Sequence, residues 1–207
     1  NMATLLEGTT FNSVRVCQRC SFTNTIVGFE AGQCLSTTTY RNTIFGYQAA
    51  KFSVSSCDNS VMGFRALNGT GVNGISNNCR TVSFGSYAMA DAENNNDNVA
   101  VGFKVMKSLQ IGSNGNTSLG SYAGYGLQYG TCNVFVGYKA ASSAIGADCN
   151  IAIGYCAMTA LDSGDRNIGI GNCALSNVDN GLGNIGIGYR TGTNVTTACN
   201  TISIGYD

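Results

Sequence analysis

Apolar and polar residues alternate in a short block that recurs along most of the chain. In the copy that runs from Asn150 to Ala157, an Asn is followed by Ile-Ala-Ile, a Gly, a Tyr, a Cys and an Ala. Alternation with β-branched residues is typical of a short β-strand on a pleated, half-buried surface. Helices are not expected, because Gly recurs in every block and the apolar residues do not follow a period of about 3.6 residues.

The Gly of this block, here called the anchor glycine, recurs at nearly constant intervals of 18, 17, 22, 17, 18, 17, 17, 17, 17 and 17 residues. The eleven anchor glycines are Gly28, Gly46, Gly63, Gly85, Gly102, Gly120, Gly137, Gly154, Gly171, Gly188 and Gly205. A fixed period of this length indicates a solenoid, in which each repeat forms one coil and buries its apolar face by stacking on its neighbours. The sequence therefore predicts an all-β, parallel β-solenoid (β-roll) of about eleven coils of 17 residues.

Other positions of the repeat also carry matching residue types. Numbered from the Asn as position zero, position five is mostly aromatic, position seven is mostly Ala and position eleven is apolar. Stacked strands lie about 4.8 Å apart, so the residues at one position in successive coils, here called a column, should form asparagine, alanine and aromatic ladders. Where Ser86 and Ser121 replace the aromatic residue, Tyr87 and Tyr122 follow, which indicates a shifted ring rather than a lost one. The apolar column at position eleven predicts a second short strand in each coil.

The pattern divides the chain into two parts. Residues 1–23 lack the block and are predicted to be an irregular N-terminal cap, while residues 24–207 are predicted to be the solenoid. The longest interval, between Gly63 and Gly85, predicts a longer loop at 67–78. Recognition is often grafted onto such a loop, although a tolerated insertion explains the extra residues equally well.

The block Asn42-Thr-Ile-Phe-Gly-Tyr-Gln-Ala-Ala50 resembles the "NTAIGYQAL" arrays of viral and phage tail-fibre proteins and is similar to the head repeats of trimeric autotransporter adhesins. The resemblance covers roughly residues 24–206. It implies a left-handed parallel β-roll, an intertwined homotrimer and exposure on a virion or cell surface. A trimer is also attractive physically, because a coil this short encloses a thin core and three coils around one axis would bury more apolar area.

Composition argues against several functional classes. Charged residues make up 11% of the chain, compared with roughly 25% in typical soluble proteins. Lys plus Arg equals Asp plus Glu, so no bulk field favours nucleic acid or an anionic membrane. No stretch approaches the roughly 18 unbroken apolar residues of a membrane helix. We therefore expect neither a nucleic-acid partner nor membrane insertion.

The chain has ten cysteines, which indicate an oxidising compartment with structural disulfides. Because there is no His and only one CxxC pair, zinc is a poor explanation. Cysteines of one column in adjacent coils fall within the Cα separation of about 4.4–6.8 Å that a disulfide needs. The predicted coil-to-coil bridges are Cys17–Cys34, Cys57–Cys79, Cys132–Cys149 and Cys156–Cys173, with Cys20 and Cys199 left for other partners. Duplication of a small buried residue would give the same spacing without any disulfide.

The sequence predicts no catalytic site, metal site or cofactor. Without His, a Ser-His-Asp or Cys-His arrangement is absent, and the carboxylates are few and scattered. The acidic tract 91–97 offers oxygen ligands for calcium, but a solvated loop is the simpler interpretation. Position six carries Glu30, Gln48, Arg65, Lys104, Lys139 and Arg190. Its basic members suit a polyanionic glycan, but a solvated outward face of the strand is the simpler interpretation.

Three tripeptides match the acceptor for N-linked glycosylation, at Asn68, Asn116 and Asn194. Asn116 belongs to the asparagine ladder and is expected to be buried. Asn68 and Asn194 are therefore the predicted glycosylation sites, provided that the chain is made by a eukaryote or by a virus of one.

The leading hypothesis is a non-enzymatic surface fibre or adhesin segment, extracellular or on a virion. Its partners would be copies of itself, as a homotrimer with end-to-end joining left open, and a host-surface glycan or protein. The alternative is a single-chain ice-binding β-solenoid, which needs an exposed ladder of Thr pairs; Thr25, Thr43 and Thr117 are replaced by Val or Ile in most other copies. A polysaccharide-cleaving β-helix would need paired carboxylates on one face, and no column supplies them.

Overall fold

The computed structural model describes residues 23–36, 38–70 and 77–207. Within these ranges the chain contains eleven three-residue strands and no helix, and all the strands form one parallel sheet in which each pairs with the next. The strands are β1 (Thr25–Val27), β2 (Thr43–Phe45), β3 (Ser60–Met62), β4 (Val82–Phe84), β5 (Val99–Val101), β6 (Thr117–Leu119), β7 (Val134–Val136), β8 (Ile151–Ile153), β9 (Ile168–Ile170), β10 (Ile185–Ile187) and β11 (Ile202–Ile204). The predicted parallel β-solenoid is confirmed.

The strands stack with equivalent residues opposite each other. Between β8 and β9, for example, Ile151 pairs with Ile168 and Ile153 pairs with Ile170. The register is kept across the longest interval, where Ser60 of β3 pairs with Val82 of β4. The extra residues of the predicted loop at 67–78 therefore leave the pairing of β3 with β4 undisturbed. Residues 71–76 of that loop lie outside the described residues. So does the predicted cap, except for its last residue.

The middle residue of each strand faces the interior, and the first and third residues face outward. The middle residues form the inner column, which is Ile26, Ile44, Val61, Ser83, Ala100, Ser118, Phe135, Ala152, Gly169, Gly186 and Ser203. All of these are buried except Ser203, in the last strand. Gly169 and Gly186 have no side chain to fill the interior, and the side chains of Met158 and Leu175 occupy that space instead. A Cβ on Gly186 would lie 2.7 Å from Cγ of Leu175.

The predicted second strand at position eleven is wrong. Leu109, Leu127 and Leu161 are fully buried at this position, so the column does belong to the core. Their backbone, however, is in a turn: the amide of Leu161 donates to the carbonyl of Met158, 3.1 Å away in the same coil. An amide that closes a turn is not available to a neighbouring coil, and this prevents a ladder there. Isolated parallel bridges occur instead two residues before the repeat Asn, as between Cys57 and Cys79.

The sequence had suggested that position six lies on the outward face of a strand, but in the structure it is a turn position. The backbone there is left-handed, with φ of 53° at Cys156 and 51° at Lys104. The residue before the repeat Asn and the residue at position eight are left-handed as well, as in Cys149 (58°) and Met158 (51°). These conformations are uncommon outside Gly, Asn and Asp. They persist because hydrogen bonds to neighbouring coils hold them, such as that from the Cys156 amide to the Tyr138 carbonyl of the preceding coil at 3.0 Å.

Candidate functional site: ladders and the outward face

The asparagine column forms a buried hydrogen-bond ladder. The backbone amide of Asn167 donates to Oδ1 of Asn150 at 2.8 Å, and the Asn167 side chain donates to the same oxygen at 3.1 Å. Nδ2 of Asn150 in turn donates to the Gly164 carbonyl at 2.8 Å. The Asn150 side chain therefore satisfies two backbone groups, the amide of the next repeat Asn and a carbonyl near the end of its own coil. Such groups are costly to bury unpaired.

The ladder has one interruption, at Thr81. Its amide donates to Oδ1 of Asn59 at 2.9 Å, as an Asn at this position would. Its hydroxyl bonds instead to the Cys79 carbonyl at 3.3 Å, so Thr81 supplies no amide oxygen to Asn98 in the next coil. The structure thus has its longest interval and a broken rung in neighbouring parts of the chain.

The first and third strand residues, here called the outer columns, form an apolar surface along the solenoid. The first outer column is Thr25, Thr43, Ser60, Val82, Val99, Thr117, Val134, Ile151, Ile168, Ile185 and Ile202. The third-residue column is Val27, Phe45, Met62, Phe84, Val101, Leu119, Val136, Ile153, Ile170, Ile187 and Ile204. All are half-buried or exposed, and from β7 onward both columns contain only Val and Ile. The third-residue column contains no Thr, so the described strands present no ladder of Thr pairs.

Aromatic side chains stack along the position-five column, here called the aromatic column. Phe29, Tyr47 and Phe64 stack nearly parallel, with ring centroids 5.5 and 5.2 Å apart. The predicted shift of the ring is confirmed: Tyr87 packs edge-on against Phe64 at 5.2 Å, and Tyr122 packs edge-on against Phe103 at 5.5 Å. The ring therefore remains in the stack although it comes from the following residue.

Several cations of position six, here called the cation column, lie over these rings. Nζ of Lys104 is 5.2 Å from the Phe103 centroid, and Nζ of Lys139 is 5.5 Å from that of Tyr138. Cζ of Arg65 lies 5.4 Å from the Phe64 centroid, and its Nε donates to Gln48 at 2.8 Å. Such contacts are worth about 0.5–1 kcal/mol at exposed sites and hold the side chains against the surface.

Two ion pairs lie in a different column, here called the ion-pair column, which is the residue directly before the repeat Asn. Arg41 pairs with Asp58 of the next coil, and Arg80 pairs with Asp97. The hydrogen bonds from Arg41 lower the pKa of Asp58, and those from Arg80 lower the pKa of Asp97. In the acidic tract 91–97, Asp97 is therefore engaged by one partner and Asp91 by another, Lys107. The described part of the chain contains no cluster of three or more His, Cys, Asp or Glu suited to a metal ion.

One predicted disulfide is formed, between Cys57 and Cys79, whose Cα atoms lie 4.6 Å apart. The predicted bridges Cys132–Cys149 and Cys156–Cys173 are not formed, and all four residues are free thiols.

The difference between the pairs follows from the backbone. Cys57 and Cys79 face each other in an extended parallel bridge, whereas the other four cysteines are left-handed turn residues.

A hydrogen bond between the Tyr155 hydroxyl and Cys156 raises the pKa of Tyr155. Partial desolvation, together with Cys132 and Asp148, raises the pKa of Cys149. Cys34 is an exposed thiol, and its predicted partner Cys17, like Cys20, lies outside the described residues.

The three glycosylation tripeptides differ in exposure. Asn116 is fully buried in the asparagine ladder, as predicted. Asn194 is exposed, whereas Asn68 is half-buried and its Oδ1 is completely enclosed. Asn194 is therefore the more accessible of the two predicted sites.

The outward apolar face and the ladders are the features from which a function must be argued. Comparison with protein-family models, with curated proteins and with solved structures finds no match. In the described residues, no helix is long and apolar enough to span a membrane.

Proposed function

We propose that this chain is a non-enzymatic segment of a surface fibre or adhesin, extracellular or on a virion, that assembles as a homotrimer through its outer columns. The single observation that carries the proposal is the outward apolar face. Its side chains are Val and Ile in both outer columns from β7 onward, and Ile153, Ile170 and Ile187 are each 37% exposed.

The size of this face favours burial in an assembly. Eleven strands stacked about 4.8 Å apart give a face about 50 Å long, and two columns make it about 10 Å wide. The footprint of the two columns is thus roughly 500 Å², with Thr25, Thr43, Ser60 and Thr117 as its polar members, and apolar patches of a few hundred Å² often mark interaction sites. Burying it would contribute about 25 cal/mol per Å². The face is therefore better explained as an interface than as a solvated surface.

A second copy of this chain is the partner that matches the face best. The outer columns repeat at every coil, and another copy has the same repeat. From β7 onward, rows of Ile and Val on one chain can therefore fit between those of another. Closed cyclic symmetry is the usual outcome for like subunits. Three such faces turned towards one axis bring their outer columns together, which is the arrangement that the resemblance of the repeat to trimeric adhesin heads implies.

Solution mass tests this assembly directly. We expect light scattering to give three times the chain mass of 21.5 kDa. The double variant Ile153→Lys/Ile170→Lys should dissociate the trimer, because it would bury unpaired charges at the common axis. If the protein were a single chain, the two lysines would only replace outward side chains and the mass would not change.

The matched control is Ser143→Lys/Ala160→Lys, which adds two lysines at exposed turn positions of adjacent coils. It should remain trimeric. One chain per particle in the unmodified protein, or a lysine pair in β8 and β9 that leaves the trimer intact, would refute the proposal. The single-chain result, if accompanied by thermal hysteresis, would support the ice-binding alternative.

A further inference from the structure

We propose that the cation column binds a linear anionic polysaccharide laid along the solenoid axis, with one carboxylate or sulfate per disaccharide. This inference rests on the proposed function, because it names the ligand class of that adhesin. It is carried by the arrangement of Arg65, Lys104 and Lys139, which the repeat alone does not require.

Over five successive coils, the aromatic and cation columns follow a second period of two coils. The residue pairs at these two positions are Phe64-Arg65, Ser86-Tyr87, Phe103-Lys104, Ser121-Tyr122 and Tyr138-Lys139. An aromatic residue followed by a cation thus alternates with Ser followed by Tyr. The simple coil period would repeat one pair in every coil, so the alternation is a separate feature of this stretch.

The three cations of this stretch are free of carboxylates. Elsewhere in the described chain, Arg41, Lys51, Arg80 and Lys107 pair with an Asp or Glu at short distance, and Arg190 lies 3.9 Å from Asp207. The other described cation, Arg166, forms no ion pair but stands alone, directly before a repeat Asn. Among the described residues, no carboxylate lies within ion-pair distance of Arg65, Lys104 or Lys139. Their charge is therefore available to an external anion.

Their position on the rings prepares these side chains for binding. Lys104 lies over Phe103 and is also 5.9 Å from the centroid of Tyr122. A long side chain already held on an aromatic surface loses less rotamer freedom when it binds an anion. The column is thus more ordered than three solvated cations on flexible stems would be.

The spacing selects the ligand. Two coils separate Arg65 from Lys104 and Lys104 from Lys139, which corresponds to about 9.6 Å per step. A disaccharide of an extended linear glycan has a similar length, so a chain with one anion per disaccharide would meet one cation at each step. The hydroxyls of Tyr87 and Tyr122 lie at the intervening coils, where uncharged sugar groups would fall.

Single-stranded nucleic acid fits this surface less well. Its phosphates follow at every nucleotide, which is closer than two coils, and it binds by stacking bases on open aromatic faces. Here the rings already pack on each other: Phe64 lies between Tyr47 and Tyr87, and Tyr122 packs against Phe103 and Tyr138. The cation column also lies beyond the strands, so assembly through the outer columns leaves it accessible.

The test measures affinity for κ-carrageenan, which carries one sulfate and no carboxylate per disaccharide, and for hyaluronan, which carries one carboxylate and no sulfate. Dextran is the neutral polymer and oligothymidylate is the nucleic acid. The unmodified protein should bind at least one of the two anionic glycans and not dextran. Lys104→Gln/Lys139→Gln should weaken binding by about tenfold. Arg41→Gln/Arg80→Gln removes the same charge from the ion-pair column and should change binding little.

A charge-conserving exchange tests the spacing. Lys104→Tyr/Tyr122→Lys keeps composition and net charge but moves the central cation by one coil, and it should also weaken binding several-fold. Equal losses in the two glutamine pairs, full affinity in the exchange variant, no binding to either anionic glycan, or tighter binding of oligothymidylate would each overturn the inference. Light scattering on the same samples separates the proposals: a trimer without glycan binding refutes the inference alone, and a glycan-binding monomer refutes the proposed assembly.

Discussion

At the scale of single residues, the asparagine side chain can bond to both a backbone amide and a backbone carbonyl where two coils stack. An amide carries one acceptor and one donor group of the same reach, and Asn133, Asn150 and Asn167 use both between consecutive coils. All three are fully buried. A Ser or Thr hydroxyl cannot bridge to both the amide of the next coil and the carbonyl at the end of its own coil. Thr81 shows the result, because its hydroxyl bonds to the Cys79 carbonyl and leaves Asn98 without the usual acceptor.

Replacing Asn150 by Ala should destabilise the protein strongly. The change leaves the Asn167 amide and the Gly164 carbonyl without their partners, and each unsatisfied buried group costs about 1–3 kcal/mol. We expect a loss of about 3 kcal/mol or more in the free energy of unfolding, measured by denaturant titration. Asn172→Ala removes an exposed side chain and should change it by less than about 0.5 kcal/mol. Similar losses in both variants would contradict the role of the ladder.

At the scale of the element, the closeness of successive coils depends on the anchor glycines. Gly137 has a φ of 129°, and a Cβ built on it would lie 2.3 Å from the carbonyl oxygen of Gly154 in the next coil. Backbone from one coil therefore occupies the space that a side chain on its neighbour would need. The constant spacing of the glycines reflects this contact, because the three-residue strands alone are too short to fix the coil.

Gly137→Ala should separate this contact from backbone strain. We expect a loss of more than about 3 kcal/mol, since the new methyl group meets backbone that cannot move without opening the sheet. Gly112 has a φ of 91°, and a Cβ added there would meet nothing within 4 Å, so Gly112→Ala keeps the strain and lacks the clash. Its expected loss is about 1 kcal/mol. Equal melting temperatures of the two variants would show that the coil contact does not matter.

At the scale of the whole molecule, stability passes from coil to coil, because each coil contacts only its neighbours. The junction between β3 and β4 is the exceptional one: it contains the 22-residue spacing of Cys57 and Cys79 and the single disulfide of the described residues. At the next junction, where Thr81 interrupts the ladder, Arg80 pairs with Asp97 and the Cys79 amide donates to Asn96 at 3.0 Å. Additional cross-links thus occur next to the irregular coil.

Removal of this disulfide should destabilise the oxidised protein. Closing a loop of 22 residues contributes about 3 kcal/mol in the chain-entropy description, so Cys57→Ser should lower the free energy of unfolding by about that amount. A reductant should lower it equally in the unmodified protein and leave Cys57→Ser unchanged. Cys132→Ser, which removes an exposed free thiol, serves as the control. A reductant-insensitive unmodified protein would contradict the assignment.

The sequence by itself determined the stacking. A constant spacing of 17 residues places like residues opposite each other, and an error of one residue would reverse the faces of a strand. The parallel solenoid, the number of coils, the burial of Asn116 and the shifted rings of Tyr87 and Tyr122 all follow from that register. Local repetition carries this information because every coil contacts a near-copy of itself.

The tertiary structure decided which way each column faces and which cysteines are joined. Alternation is symmetric with respect to the two faces of a strand, so it does not indicate that the large Ile and Val side chains lie outside. In β9 and β10 the Met158 and Leu175 side chains of the turns fill the interior, which leaves room for Gly169 and Gly186 but not for Ile. In β1 and β2 the middle residue is itself a buried Ile, at Ile26 and Ile44, so the interior is filled from the strand or from the turn according to the coil. Matching repeat positions place both cysteine pairs in register, but the direction of each thiol depends on the backbone conformation. Cys57 and Cys79, in an extended bridge, are therefore bonded, whereas Cys156 and Cys173, in left-handed turns, are not.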